Sequence, residues 1–328
     1  MNFYADSNYI HAKIYAMHSL LLTKNDYYDI AKNGHFRSVL PELDTYNIKN
    51  DYTLIKEKIF DNQMNMIISL AEASVSSRSI FILFLRYFET LNLKLLCARA
   101  FGREPSPSIW YNIGEFAVLD RDMLSDNTDV TSILKYTKNT WMKDILTPES
   151  GGSFEEVEFF IDRAILRIAV EFPYSVNFSR KTDSLKIVSG LAAYFNLSWS
   201  RRLKQIYAWD HGSIKNYIQS NIIVPEYGRD LQTSIYEWEQ TLIEHVQSDF
   251  ADIPDQGGAG LITAEKIMER VLLRDFSRMF HENFYSINTV SCYLALLYRQ
   301  VRNLFSIVDG LRFGLSPETI MGFIICEG

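Results

Sequence analysis

The hydrophobic positions of this chain recur mainly at helical spacing. Ile10, Ile14, Met17 and Leu21 follow one another at steps of 4, 3 and 4, which places them on one face of a helix over residues 9–22. Further helical patterns occupy residues 54–72, 79–100, 161–172, 186–206, 235–250, 264–282 and 287–311. No window alternates apolar and polar residues over the length of a strand between turn residues. The pattern therefore predicts an all-α chain.

Segments that combine polar residues with glycine or proline separate these patterns. They lie at residues 103–108, 147–153, 225–234 and 252–260. Ser106-Pro107 and Ser316-Pro317 each predict the start of a helix, because serine is a good N-cap and proline suits the first helical position. The glycines at 257, 258 and 260 precede a helix predicted to begin near Thr263, and we interpret them as a loop rather than as an anion site.

Three stretches of the chain resemble one another at regular spacing. They read YFETLNLKLL from residue 87, YFNLSWSRRL from residue 194 and YRQVRNLFSI from residue 298. Asn92, Ser198 and Asn303 take corresponding positions, 106 and 105 residues apart. The spacing predicts three related helical subdomains at residues 1–125, 126–230 and 231–328, each near the smallest common domain size. Around a common axis, three such units would form a ring or a funnel.

Composition excludes several classes of protein. The 328 residues carry 33 basic and 40 acidic side chains, a net charge of −7, so a mainly electrostatic grip on nucleic acid or anionic lipid is not expected. Ile80–Leu85, the longest fully apolar stretch, is far shorter than the roughly 20 residues of a membrane span. The three cysteines show no metal-binding spacing, and the N-terminus has no signal-peptide pattern, so we expect a cytoplasmic protein.

Patterns for catalysis are sparse. The sequence contains neither a phosphate-binding G-x-x-x-x-G-K-[ST] loop nor an H-E-x-x-H helix, and its six histidines are scattered. Asp120-Arg121-Asp122 and Glu155-Glu156-Val157-Glu158 lack the spacing of a terpene-synthase-like magnesium site. The glutamates better suit the first turn of a helix capped by Ser153. We therefore expect no catalytic residues, no metal and no cofactor.

Basic residues recur beside the repeated motif and are candidates for partner binding. In an acidic protein they would line a shared axial surface; the alternative is ordinary solvated helix faces with i, i+4 pairs. With the two asparagines of the motif, the candidates are Asn92, Lys94, Arg99, Arg201, Arg202, Lys204, Arg299, Arg302, Asn303 and Arg312.

The two ends of the chain resemble one known family. Residues 298–324 resemble the C-terminal signature of the C/AC39 family of V-type and A-type ATPase (ATP synthase) subunits, whose eukaryotic members are called d or AC39. The matching residues are Asn303, Leu304, Ile307, Gly310, Gly314, Leu315, Glu318 and Ile320. Residues 9–22, Leu43-Asp44-Thr45-Tyr46 and Asn92-Leu93-Lys94 resemble further motifs of the family. The chain departs from the family at Arg302, where an acidic residue is usual, and at Phe305, where arginine is usual.

This resemblance implies a funnel of three helical subdomains with pseudo-threefold symmetry. It implies a non-catalytic rotor subunit, peripheral on the cytoplasmic face of the membrane rotor ring of c/K/L-type subunits. The cavity of the funnel would receive central-stalk subunits D and F and transmit torque between ATP chemistry and H⁺ or Na⁺ movement. The family binds no nucleotide directly and no nucleic acid, and has no membrane span of its own. The alternatives are a soluble all-α adaptor or scaffold unrelated to rotary ATPases and an all-α enzyme with an aromatic pocket.

Overall fold

The chain is helical wherever its secondary structure is regular. A computed structural model describes residues 3–75, 77–103, 109–124, 129–138, 140–143, 153–175, 181–215, 229–249, 257–282 and 287–326. Within these ranges there is no strand, which confirms the all-α prediction. None of the helices described is both long enough and apolar enough to cross a lipid bilayer.

The helices match the predicted patterns closely. They are α1 (Phe3–His18), α2 (Lys24–Asn33), α3 (Ile48–Ala73), α4 (Arg78–Ala100), α5 (Val130–Thr137), α6 (Phe154–Ser175), α7 (Lys181–Gln205), α8 (Arg229–Asp249), α9 (Gly257–Glu282), α10 (Ile287–Arg312) and α11 (Pro317–Met321). Short 3-10 helices lie at Pro41–Thr45, Gly114–Phe116 and Arg121–Leu124.

Two of the predicted helix starts carry the expected caps. Ser316 Oγ accepts a hydrogen bond from the backbone N–H of Thr319 at 3.2 Å, and Pro317 is the first residue of α11. Ser153 Oγ accepts from the backbone N–H of Glu156 at 3.3 Å, at the start of α6. Each serine therefore satisfies one of the orphan N–H groups of its helix. Ser106-Pro107 lies outside the described residues.

Two predicted segment boundaries are wrong. The predicted loop at residues 252–260 is shorter, because α9 already begins at Gly257. The predicted linker at residues 225–234 is also shorter, because α8 begins at Arg229. Glycine is a poor helix former, so the sequence pattern placed the start of α9 too late; propensity alone is a weak guide to a helix end. The remaining residues of both segments lie outside the part of the chain that the structure describes.

Contacts between helices group the chain into two compact units. Unit 1 consists of residues 1–165 and 283–326, and unit 2 of residues 166–282. In unit 1, α10 packs against α3, α2, α1 and α4, so the first and last helices of the chain share one core. In unit 2, α7, α8 and α9 pack against one another. The predicted division into three subdomains stays a prediction.

Aromatic side chains fill the core of unit 1. Phe60 on α3 packs edge-on against Phe88 of α4, with ring centroids 4.8 Å apart, and against Tyr111 at 5.0 Å. Unit 2 is held by closer contact between helices. A Cβ at Gly190 of α7 would lie 3.0 Å from Leu272, so the glycine lets α9 approach α7.

Candidate partner-binding surface

The two asparagines of the repeated motif form the same hydrogen-bond pair in unit 1. Asn92 on α4 donates from Nδ2 to the carbonyl of Tyr111 at 2.8 Å and accepts at Oδ1 from its N–H at 2.9 Å. Asn303 on α10 donates to the carbonyl of Ile325 at 2.9 Å and accepts from its N–H at 3.1 Å. We call these two arrangements the amide clamps. Each fastens a later segment of the chain to a helix of the core.

Burial separates both asparagines from the accessible surface. Asn92 is 1% exposed and Asn303 is 2% exposed. A buried amide hydrogen-bonded to a backbone peptide group satisfies groups that would otherwise be costly to bury. The structure thus gives both residues a supporting position within the chain, and we leave them out of the proposed partner surface.

The middle copy of the motif, in unit 2, has no such clamp among the described residues. Ser198 is 3% exposed, and its Oγ has no hydrogen-bond partner. The next residue, Trp199, is buried, and the guanidinium of Arg202 lies 5.7 Å from its ring centroid. Serine is too short to replace an asparagine that spans a peptide group with two hydrogen bonds.

Several basic candidates are engaged in ion pairs. Lys94 Nζ lies 2.6 Å from Asp162 Oδ1 and 3.5 Å from Glu158 Oε1, which joins α4 to α6 in unit 1. Arg202 Nε lies 2.9 Å from Glu265 Oε1, which joins α7 to α9 in unit 2. These pairs tie helices together and are only partly exposed.

The other basic candidates lie closer to solvent. Arg99 is exposed, and its guanidinium donates to the carbonyl of Leu124. On α7 of unit 2, Arg201 is half-buried and Lys204 is exposed. Arg299 is half-buried on α10. The remaining two candidates, Arg302 and Arg312, lie together on one side of α10.

That side of α10 forms a continuous polar stripe. Its residues follow at steps of 4, 4, 3 and 3, which keeps them on one helix face. We define the α10 stripe as Tyr298, Arg302, Ser306, Asp309 and Arg312. At roughly 1.5 Å per residue the stripe is about 21 Å long. Arg302 is exposed and the other four side chains are half-buried, so the stripe borders solvent along its whole length.

Neighbouring helices hold the stripe at both ends. Lys56 of α3 lies with its Nζ 2.5 Å from Asp309 Oδ1 and 5.6 Å from the ring centroid of Phe305. The hydroxyls of Tyr87 on α4 and Tyr298 are 3.0 Å apart, and their rings meet edge to face.

At the C-terminal end of α10, Arg312 stacks 3.6 Å above the ring centroid of Tyr52 on α3. Such stacking on an aromatic face fixes a guanidinium without neutralising its charge.

Arg302 is the electrostatic centre of this region. Burial lowers the pKa of Lys56, the carboxylate of Asp309 opposes that shift, and the charges of Arg302 and Arg312 lower the pKa further. Burial raises the pKa of Tyr111 to about 12, and Arg302 opposes the shift. The tyrosine hydroxyls therefore keep their protons near neutral pH beside a positive potential.

Sequence reasoning missed a buried carboxylate that organises unit 1. Glu89 on α4 is 0% exposed and accepts hydrogen bonds from the N–H groups of Val118 and Leu119 and from Trp141 Nε1. Burial raises the pKa of Glu89, and these donors oppose the shift. The available signal was a lone acid next to Phe88 in a very apolar helix. Within the described residues, no group of three or more His, Cys, Asp or Glu side chains is arranged to hold a metal ion.

Comparison with known proteins gives one match. The model of a family described as ATP synthase (C/AC39) subunit matches residues 10–323, nearly the whole chain. The match includes every helix from α2 to α11 and most of α1. No curated protein matches the chain.

Proposed function

Because the chain belongs to the ATP synthase (C/AC39) subunit family, and is therefore a subunit of a V/A-type ATPase, we propose that it is the central-rotor subunit that connects the stalk to the membrane ring. The match over residues 10–323 is the observation that carries this proposal. It covers both units, so the proposal concerns the whole chain and not one helical module.

The proposed part is that of a non-catalytic socket. Three helical subdomains, at residues 1–125, 126–230 and 231–328, surround a pseudo-threefold axis as a funnel. The funnel receives central-stalk subunits D and F and rests on the membrane ring of c/K/L-type subunits. It lies peripherally on the cytoplasmic side and passes torque between ATP chemistry and H⁺ or Na⁺ transport.

Two features of the structure support a mechanical function. The core of unit 1 is packed with edge-to-face aromatic rings, and close-packed interiors resist deformation. The amide clamps at Asn92 and Asn303 and the carboxylate of Glu89 fasten non-helical segments to α4 and α10. A protein that transmits torque needs such fixed connections, because a loose segment would absorb the motion instead of passing it on.

Co-purification tests this proposal. The tagged full-length chain is recovered from its native membranes in mild detergent, and its partners are identified and quantified by mass spectrometry. We expect the central-stalk and ring subunits, with one copy of this chain per complex. Recovery of soluble partners alone, from a preparation in which the ATPase is intact, would overturn the proposal and favour an adaptor or scaffold.

A further inference from the structure

The α10 stripe and its flank carry positive charge within an acidic protein. Among the described residues of this region, Lys56, Arg302 and Arg312 face a single carboxylate, Asp309. The chain as a whole has a net charge of −7. Lys56 and Asp309 form a neutral pair, so the net charge of the stripe equals that of the two arginines.

The two arginines are spaced along the helix and held in different ways. Ten residues separate them, which is about 15 Å along the axis of α10. Arg302 is exposed, and Arg312 is positioned by the ring of Tyr52. A surface with fixed cations at this spacing matches carboxylates about three turns apart on a partner helix.

The stripe also has the composition of a protein interface. Tyr87 and Tyr298 present a joined pair of hydroxyls at one end, and Phe313 is 69% exposed just beyond the other end. Tyrosine, arginine and phenylalanine are the residues that protein interfaces favour, because each combines a large contact area with a polar or aromatic edge. This composition lets a partner bury apolar area between the charged contacts.

We propose that the α10 stripe is a docking surface for an acidic segment of a protein partner. The inference rests on the proposed function, in which that partner is the central stalk. A protein is favoured over nucleic acid or anionic lipid for two reasons. The positive surplus is only two charges, too few for a grip that depends on neutralising phosphates. A carboxylate and tyrosines also lie among the cations, where a row of phosphates would be repelled or left uncontacted.

Charge reversal at Arg302 tests the proposal. Full-length wild type and the Arg302→Glu variant are titrated against purified central stalk (subunits D and F) at ionic strengths of about 0.01 M and about 0.1 M. We expect Arg302→Glu to bind about 10-fold more weakly at the lower ionic strength. The difference shrinks at the higher one, because the Debye length falls from about 30 Å to about 10 Å. Arg302→Gln shows a smaller loss in the same direction.

Arg278→Glu is the matched control. Arg278 is an exposed arginine on α9 of unit 2, engaged with Asp275 and Glu282 of its own helix. The same charge change there leaves stalk binding unchanged, and circular dichroism checks that both variants keep the wild-type helix content.

Three results would overturn the proposal. The first is Arg302→Glu binding the stalk as tightly as Arg278→Glu. The second is wild type binding anionic vesicles, but not the stalk, in an Arg302-dependent way. The third is wild type failing to bind the stalk at all. If the chain still co-purifies with the ATPase in any of these cases, the proposed function stands and only the docking surface is lost.

Discussion

The ion pair between Lys56 and Asp309 allows a prediction in which the two partners behave differently. Lys56 is 2% exposed along its side chain, whereas Asp309 is 36% exposed. Removing the carboxylate leaves an ammonium group buried without its counter-charge. Removing the lysine instead leaves a carboxylate that water already reaches. Asp309→Asn is therefore expected to destabilise unit 1 more than Lys56→Met does, although each deletes the same contact.

The magnitudes follow from burial. Breaking a fully buried pair by removing one partner costs about 3–5 kcal/mol, and the partial exposure of Asp309 reduces this to about 2–3 kcal/mol for Asp309→Asn. Lys56→Met replaces the buried ammonium with an apolar chain beside Phe305, so we expect a change within about 1 kcal/mol of zero. The double variant recovers most of the loss, since no buried charge then remains.

Hydrogen–deuterium exchange of α3 and α10 during urea unfolding measures these differences in unit 1. Glu42→Gln is the control, because Glu42 pairs at 3.0 Å with Lys58, a more exposed lysine of the same helix as Lys56. It is expected to cost less than about 1 kcal/mol. Equal losses for Lys56→Met and Asp309→Asn, or a larger loss for Lys56→Met, would refute the reasoning.

The same pair has a signature in pH. The pKa of Lys56 in the folded chain lies below its ordinary value of 10.5. Between these two values the unfolded state binds more protons than the folded state, so stability rises with pH in that window. Asp309→Asn removes the carboxylate that raises the pKa of Lys56, so the rise begins at a lower pH. Lys56→Met abolishes this contribution.

Three further substitutions test the supporting contacts. Asn303→Leu leaves the buried N–H and carbonyl of Ile325 without partners, and we expect a loss of about 2–4 kcal/mol in urea unfolding of unit 1. Gly310→Ala places a Cβ 2.5 Å from Cγ1 of Ile320. Overpacking of this kind costs about 1–3 kcal/mol, which lowers the urea midpoint despite the better helix propensity of alanine. Ser198→Ala removes a buried hydroxyl that has no hydrogen-bond partner. Calorimetry is expected to show unit 2 unchanged or about 1 kcal/mol more stable, and a clear loss would contradict this.

Helix positions were largely predictable because they depend on local spacing. Hydrophobic periodicity places a helix at residues 287–311, and α10 spans Ile287–Arg312. The short helix α2 was missed, since its 10 residues carry too few turns to show a period. A local signal did exist there, for Thr23 and Asp26 form a reciprocal capping box. A search for caps as well as periods finds such helices.

The surroundings of the repeated asparagines were not predictable from spacing. The repeat singles out Asn92 and Asn303 but does not say whether an amide faces solvent or the chain itself. Their partners, Tyr111 and Ile325, lie 19 and 22 residues away, beyond the reach of a helical pattern. Likewise, the stripe around Arg302 depends on α3 and α4 packing against α10, which only the tertiary structure reveals.

Coupling of ATP hydrolysis to ion transport tests the central claim most directly. The ATPase is reconstituted into vesicles with and without this chain, and both ATP hydrolysis and ion uptake are measured. The account predicts that hydrolysis continues without the chain while uptake is lost, and that adding the purified full-length chain restores uptake. Equal ion uptake per ATP hydrolysed in the presence and absence of the chain would contradict its function as the connection between stalk and ring.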